Sequence, residues 1–110
     1  MAIHYIHAAN RSDILPGKML RIKAGSKAIL VTNIDGAFFA VDDMCTHEDA
    51  SLYLGCIKGD LVQCSLHGGT FNVKTGAAVD EPAEIPLQTY PVKYEGEAIY
   101  VGIEEDKKMI

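Results

Sequence analysis

Turn-forming residues interrupt this chain so often that no long amphipathic helix fits between them. Pro16-Gly17, Gly25-Ser26, Asn33-Ile34-Asp35-Gly36, Lys74-Thr75-Gly76 and Glu95-Gly96 each mark a reversal. The stretches between them read as strands. Ile3 to Ala8 forms the first, ending at the polar run Asn10 to Asp13. Met19 to Lys23 alternates, with Leu20 and Ile22 on one face and Arg21 and Lys23 on the other, the period of a half-buried strand. Ala28 to Val31 is a short apolar run of strand formers. Ala37 to Val41 returns from the Asp-Gly hairpin. Asp60 to Gln63 and Thr70 to Val73 follow, and a last hairpin pairs Thr89 to Tyr94 with Ala98 to Ile103. Short strands at even spacing predict an all-β sandwich or barrel.

Size and composition narrow the function. The chain has 110 residues, 48% of them apolar and 23% charged, which suits one domain with one core. No apolar run approaches the roughly 20 residues that span a bilayer. The start, Met1-Ala2-Ile3-His4-Tyr5, lacks the basic and apolar regions of a signal peptide, so the expected location is cytoplasmic, with no membrane partner. The net charge of −5 disfavours nucleic acid, whose phosphates would repel it. It serves solubility, or steers the chain toward a basic protein face.

The chemistry concentrates in two boxes. The first is Cys45-Thr46-His47. The second is Cys64-Ser65-Leu66-His67-Gly68, with sixteen residues between His47 and Cys64. Each box offers one soft sulfur and one borderline nitrogen, which together make a metal site. Of the three cysteines, Cys56 is left over and reads as a thiol outside the site. His4 and His7 are three apart on a strand and face opposite sides, so they do not share a metal. A closed zinc site of two thiolates and two imidazoles stays open on spacing alone, and with it the reading of a zinc-stabilised structural or interaction module.

Cys45-x-His47 followed by Cys64-x-x-His67-Gly68 resembles the signature of Rieske [2Fe–2S] proteins. The proline loop at Pro82, Pro91-Val92-Lys93-Tyr94 and Ile99-Tyr100-Val101 extend the likeness to small Rieske ferredoxins of bacterial multicomponent aromatic-ring-hydroxylating dioxygenases. The resemblance implies one Rieske domain over residues 1–110, an antiparallel β-sandwich with a small cluster-binding subdomain at about 43–82. It implies one [2Fe–2S] cluster, with Cys45 and Cys64 on one iron and His47 and His67 on the other. It further implies a monomeric one-electron carrier, not an enzyme. Electrons would come from an NAD(P)H- and flavin-dependent ferredoxin reductase and pass to a terminal oxygenase, both partners competing for the His47/His67 end. A Rieske-like small subunit of an assimilatory nitrite reductase is the alternative partner assignment. Neutral imidazoles in place of thiolates raise Rieske potentials to about −150 to +300 mV, against about −400 mV for plant-type ferredoxins.

Respiratory Rieske proteins carry a disulfide between the boxes, and a serine and a tyrosine after the second His. The matching positions here are Ala50 and Leu66, and Gly69 and Phe71. Fewer hydrogen bonds to the sulfurs mean a lower potential, and the acidic neighbours Asp42, Asp43, Glu48 and Asp49 are expected to push the same way. The loop around Pro82 is expected to cover one side of the cluster.

Overall fold

The computed structural model describes residues 3–25, 27–45, 50–65, 69–80 and 85–104. Its strands are β1 (Ile3–Asn10), β2 (Met19–Ala24), β3 (Lys27–Ile34), β4 (Ala37–Asp42), β5 (Cys56–Lys58), β6 (Leu61–Gln63), β7 (Thr70–Asn72), β8 (Ala78–Asp80), β9 (Thr89–Tyr90), β10 (Val92–Glu95) and β11 (Ala98–Glu104). They form three antiparallel sheets, ordered β2-β3-β4-β9, β1-β11-β10 and β5-β6-β7-β8. Among the described residues no helix is long and apolar enough to cross a membrane.

The sheet β2-β3-β4-β9 lies between the other two, and β3 shows why. Side chains alternate between faces along a strand, yet β3 is buried without a break from Ile29 to Ile34. Leu30 and Ile34 join Val41 in an apolar cluster with Leu52, Val62 and Phe71, on the side of β5-β6-β7-β8. Ile29 and Val31 join Phe38 and Ala40 in a second cluster with Ile14, Ile99 and Val101, on the side of β1-β11-β10. Both faces are covered, so the strand must be apolar on both. The short run Ala28 to Val31 therefore extends to a strand of eight residues.

The β3–β4 turn is tighter than the four residues Asn33 to Gly36. Asp35 and Gly36 have φ of 52° and 92°, the double positive φ of a two-residue hairpin turn. Asn33 stays in the strand, where it is 4% exposed. Its Nδ2 donates to the Ile14 carbonyl at 2.7 Å, and its Oδ1 accepts from the Gly36 N–H at 2.8 Å.

The expected strand Thr89 to Tyr94 is two strands, because Pro91 has no N–H to give to a ladder. β9 pairs with β4, and β10 pairs with β11, so the chain changes layers at Pro91. β5 and β8, three residues each, are not among the strands expected from the sequence.

The sheet β5-β6-β7-β8 is an excursion from the central layer. The chain leaves β4 at Asp42 and rejoins the same edge at β9. The Asp42 N–H donates to the Gln88 carbonyl at 2.9 Å, closing the two ends.

Candidate metal centre

The two boxes sit on two hairpins of one design. In the first, the Cys45 N–H donates to the Ala50 carbonyl at 2.9 Å; in the second, the Cys64 N–H donates to the Gly69 carbonyl at 2.8 Å. One step further out, Met44 bridges Ser51, and Gln63 pairs with Thr70. Four residues separate the paired positions in each case, 46–49 and 65–68, and each cysteine stands at the root of its hairpin. Both cysteines are 3% exposed and lie in the same apolar cluster as Leu52, Val62 and Phe71. Neither is in a disulfide.

His47 and His67 lie outside the described residues, as do Leu66, Gly68, Glu48, Asp49 and Pro82. Of the expected donor set, the structure describes Cys45 and Cys64, and both belong to one apolar cluster. Cys56 lies elsewhere, exposed at the start of β5, with its Sγ 3.8 Å from the Gln63 Oε1. His4 and His7 are exposed on β1, in the opposite outer layer.

The polar residues around the roots are more organised than the sequence indicates. Asp43 is 2% exposed. Its Oδ1 accepts from the Tyr53 N–H at 2.9 Å, and its Oδ2 accepts from the Ser51 hydroxyl. Its carbonyl accepts from the Leu52 N–H at 2.7 Å. Arg21, from β2, donates through Nη1 to Ser51 Oγ at 2.8 Å and stands 3.7 Å from the Asp43 carboxylate. At the second root, the Thr70 hydroxyl donates to Asp80 Oδ2 at 2.7 Å.

Asp42 has partners of its own, the Tyr90 hydroxyl and Lys27 Nζ at 3.4 Å. Burial, then the Asp42 hydrogen bond and charge, push the Tyr90 phenol far above its ordinary range. Asp42 and Asp43 are thus each matched with a cation, which reduces the field expected from them as bare acidic neighbours. Sequence reading missed Arg21, Ser51, Thr70 and Asp80 as parts of this region. The available signal was the hydroxyl residue six positions after each box cysteine.

A close backbone approach holds the second root against the segment that follows the first. A Cβ placed on Gly55 would stand 1.9 Å from the Gln63 carbonyl oxygen and 3.2 Å from the Ser65 nitrogen. Only glycine lets these segments meet.

Residues 4–91 match the family Rieske [2Fe-2S] domain. The ferredoxin component of biphenyl 2,3-dioxygenase from Rhodococcus jostii (strain RHA1) is 46% identical over 92 residues, covering 84% of this chain and 86% of that protein. The ferredoxin subunit of 3-phenylpropionate/cinnamic acid dioxygenase from Escherichia coli (strain K12) is 41% identical over 101 residues, covering 91% and 94%. Among solved structures, a chain in a complex of reduced oxygenase and oxidized ferredoxin of carbazole 1,9a-dioxygenase superposes with a TM-score of 0.88 at 33% identity, covering 94% of this chain and 97% of that one. A putative NADH-dependent nitrite reductase small subunit from Mycobacterium tuberculosis, 18% identical with a TM-score of 0.84, over 96% of this chain and 100% of that one, shares the fold.

Proposed function

The chain belongs to the Rieske [2Fe-2S] domain family, and from that premise we propose that it is the ferredoxin component of a bacterial aromatic-ring dioxygenase. It works as a soluble cytoplasmic carrier of single electrons, not as the catalytic subunit. The observation that carries this reading is the pair of matched hairpins with a buried cysteine at each root, in a chain 46% identical to a dioxygenase ferredoxin component.

The donor set fits an iron–sulfur group. Two buried thiols at equivalent positions suit one iron, and the imidazoles of His47 and His67 suit the other. The ligands are Cys45 and Cys64, His47 and His67, in a cluster-binding part of about residues 43–82 within one domain. Bound there, the [2Fe–2S] group supplies reversible one-electron chemistry. The chain's own contribution is to shield and orient. Leu52, Val62 and Phe71 pack around the two cysteines and keep water from the sulfur side. An NAD(P)H- and flavin-dependent reductase and a terminal oxygenase dock in turn on the side of His47 and His67.

The surroundings favour a potential low in the Rieske range. Phe71 is fully buried and has no hydroxyl, and Gly69 has no side chain. The hydroxyls at the two roots, Ser51 and Thr70, already donate to carboxylates. Their protons are not offered to sulfur, so they do not stabilise added charge there.

An EPR-monitored redox titration of the purified protein, with iron and acid-labile sulfide assays, tests the reading. The expected result is two irons per chain, a silent oxidised state, and a rhombic reduced signal with a midpoint near about −150 mV. A midpoint near about +300 mV would overturn the low-potential reading. A colourless protein holding zinc would overturn electron transfer altogether. Reduction of a ring-hydroxylating oxygenase by the reduced protein then separates this role from that of a nitrite reductase subunit.

A further inference from the structure

The hydroxyl–carboxylate contacts occupy the same place on both hairpins. Ser51 stands six residues after Cys45, and Thr70 six residues after Cys64. Each follows the residue whose carbonyl accepts from the cysteine N–H, and each pairs with the residue before the cysteine. Each donates its hydroxyl proton to an aspartate, Ser51 to Asp43 and Thr70 to Asp80.

The two contacts reach in different directions. Asp43 precedes the first hairpin, and Arg21 approaches the same Ser51 Oγ from β2. Ser51 therefore has both its acceptor and its donor roles filled, and the first root is tied to the central sheet. Asp80 is the last residue of β8, whose register against β7 shifts at Thr70. Thr70–Asp80 ties the second root to the strand that leads into residues 81–86.

Closing a hairpin does not require a buried carboxylate. Taking Asp43 out of water is costly unless it is fully paired, and well-packed apolar residues would close the root without that cost. What the polar contact adds is a fixed direction. We propose that Ser51–Asp43 and Thr70–Asp80 are a matched pair of latches that position the hairpin roots, and with them Cys45 and Cys64, for binding and holding the [2Fe–2S] group. The four latch residues are positioning residues. This rests on the ligand assignment given above.

The test uses Ser51→Ala and Thr70→Val, each with its conservative partner, Ser51→Thr and Thr70→Ser. Asn33→Ala serves as a control, since its side chain bonds Ile14 on the far face of the central sheet. Holoprotein is mixed with a ferrous chelator, and the rate of iron release is followed alongside the reduced EPR line shape and the apparent Tm. Ser51→Ala and Thr70→Val are each expected to release iron roughly tenfold faster, as loss of a hydrogen bond to a charged group implies, and to broaden the EPR lines. Ser51→Thr and Thr70→Ser should return the rate to within about twofold. Asn33→Ala should lower Tm without accelerating release to that extent. Wild-type release rates in both Ser51→Ala and Thr70→Val would overturn the latches. So would an Asn33→Ala variant that lost iron as fast as they do, because general destabilisation would then explain the effect. A wild-type protein without iron would instead overturn the ligand assignment.

Discussion

Gly55→Ala places one methyl group where the backbone leaves no room. The new Cβ would start 1.9 Å from the Gln63 carbonyl oxygen, and contacts below 3.0 Å are essentially never adopted. The backbone must therefore part by roughly 1 Å, more than a packed interior absorbs without strain. The φ of Gly55 is −88°, so no left-handed backbone is involved, and the added methyl group meets main chain. The neighbour is main chain and cannot rotate away. Overpacking costs about 1–3 kcal/mol, and a main-chain clash belongs at about 3, a fall in apparent Tm of roughly 10–20 °C. The displaced residues flank Cys64, so iron content should fall with stability. The assay is a thermal melt with an iron determination on the same sample. Gly59→Asn is the control, because nothing lies within 4 Å of that position and its φ of 57° is one asparagine tolerates. A Gly55→Ala protein with full iron and a Tm within about 2 °C of wild type would refute the close approach of the two segments.

Further outcomes follow from other contacts. Cys45→Ser and Cys64→Ser should each abolish retention of an intact iron–sulfur group, while Cys56→Ser keeps wild-type iron and colour; absorbance and iron assays read this directly. Asn33→Ala leaves the Ile14 carbonyl and the Gly36 N–H without their partner, at a cost of about 2 kcal/mol, seen as a urea midpoint lower by about 1 M. The raised Tyr90 pKa makes the folded chain hold its phenol proton after the unfolded chain has lost it. That contribution is intact below about pH 10, where free tyrosine titrates, and is lost as pH rises beyond it. Tyr90→Phe should therefore flatten the alkaline fall in stability measured by denaturant titration.

The strand pattern was legible because it depends on local signals, and the two Cys-His boxes stand out in the sequence for the same reason. Asp35-Gly36 marks its turn wherever it occurs, and Cys45 and Cys64 announce themselves by type and spacing. What stayed hidden depends on contacts between distant residues. Nothing beside Gly55 in sequence says that the Gln63 carbonyl will press on it. Pro91 was visible, yet its effect, sending β9 and β10 to different sheets, is decided by which strands already hold the edges. Asp43 looked like one of several acidic neighbours. Its burial and its match with Arg21 from β2 make it a structural anchor.

The Asp42–Gln88 bond has a consequence for the history of such a chain. The segment between β4 and β9 departs and returns through neighbouring strands, so in terms of connectivity it is an insert whose length the host sheet barely senses, since closing a longer loop adds little entropy cost. Lineages can lengthen or remodel it without re-threading the barrel-like remainder. Removing it is another matter. Leu30, Ile34 and Val41 would lose their cover, leaving a sticky bare face on the host. A segment that is easy to vary and hard to discard is a good place for natural selection to fit one scaffold to many partners.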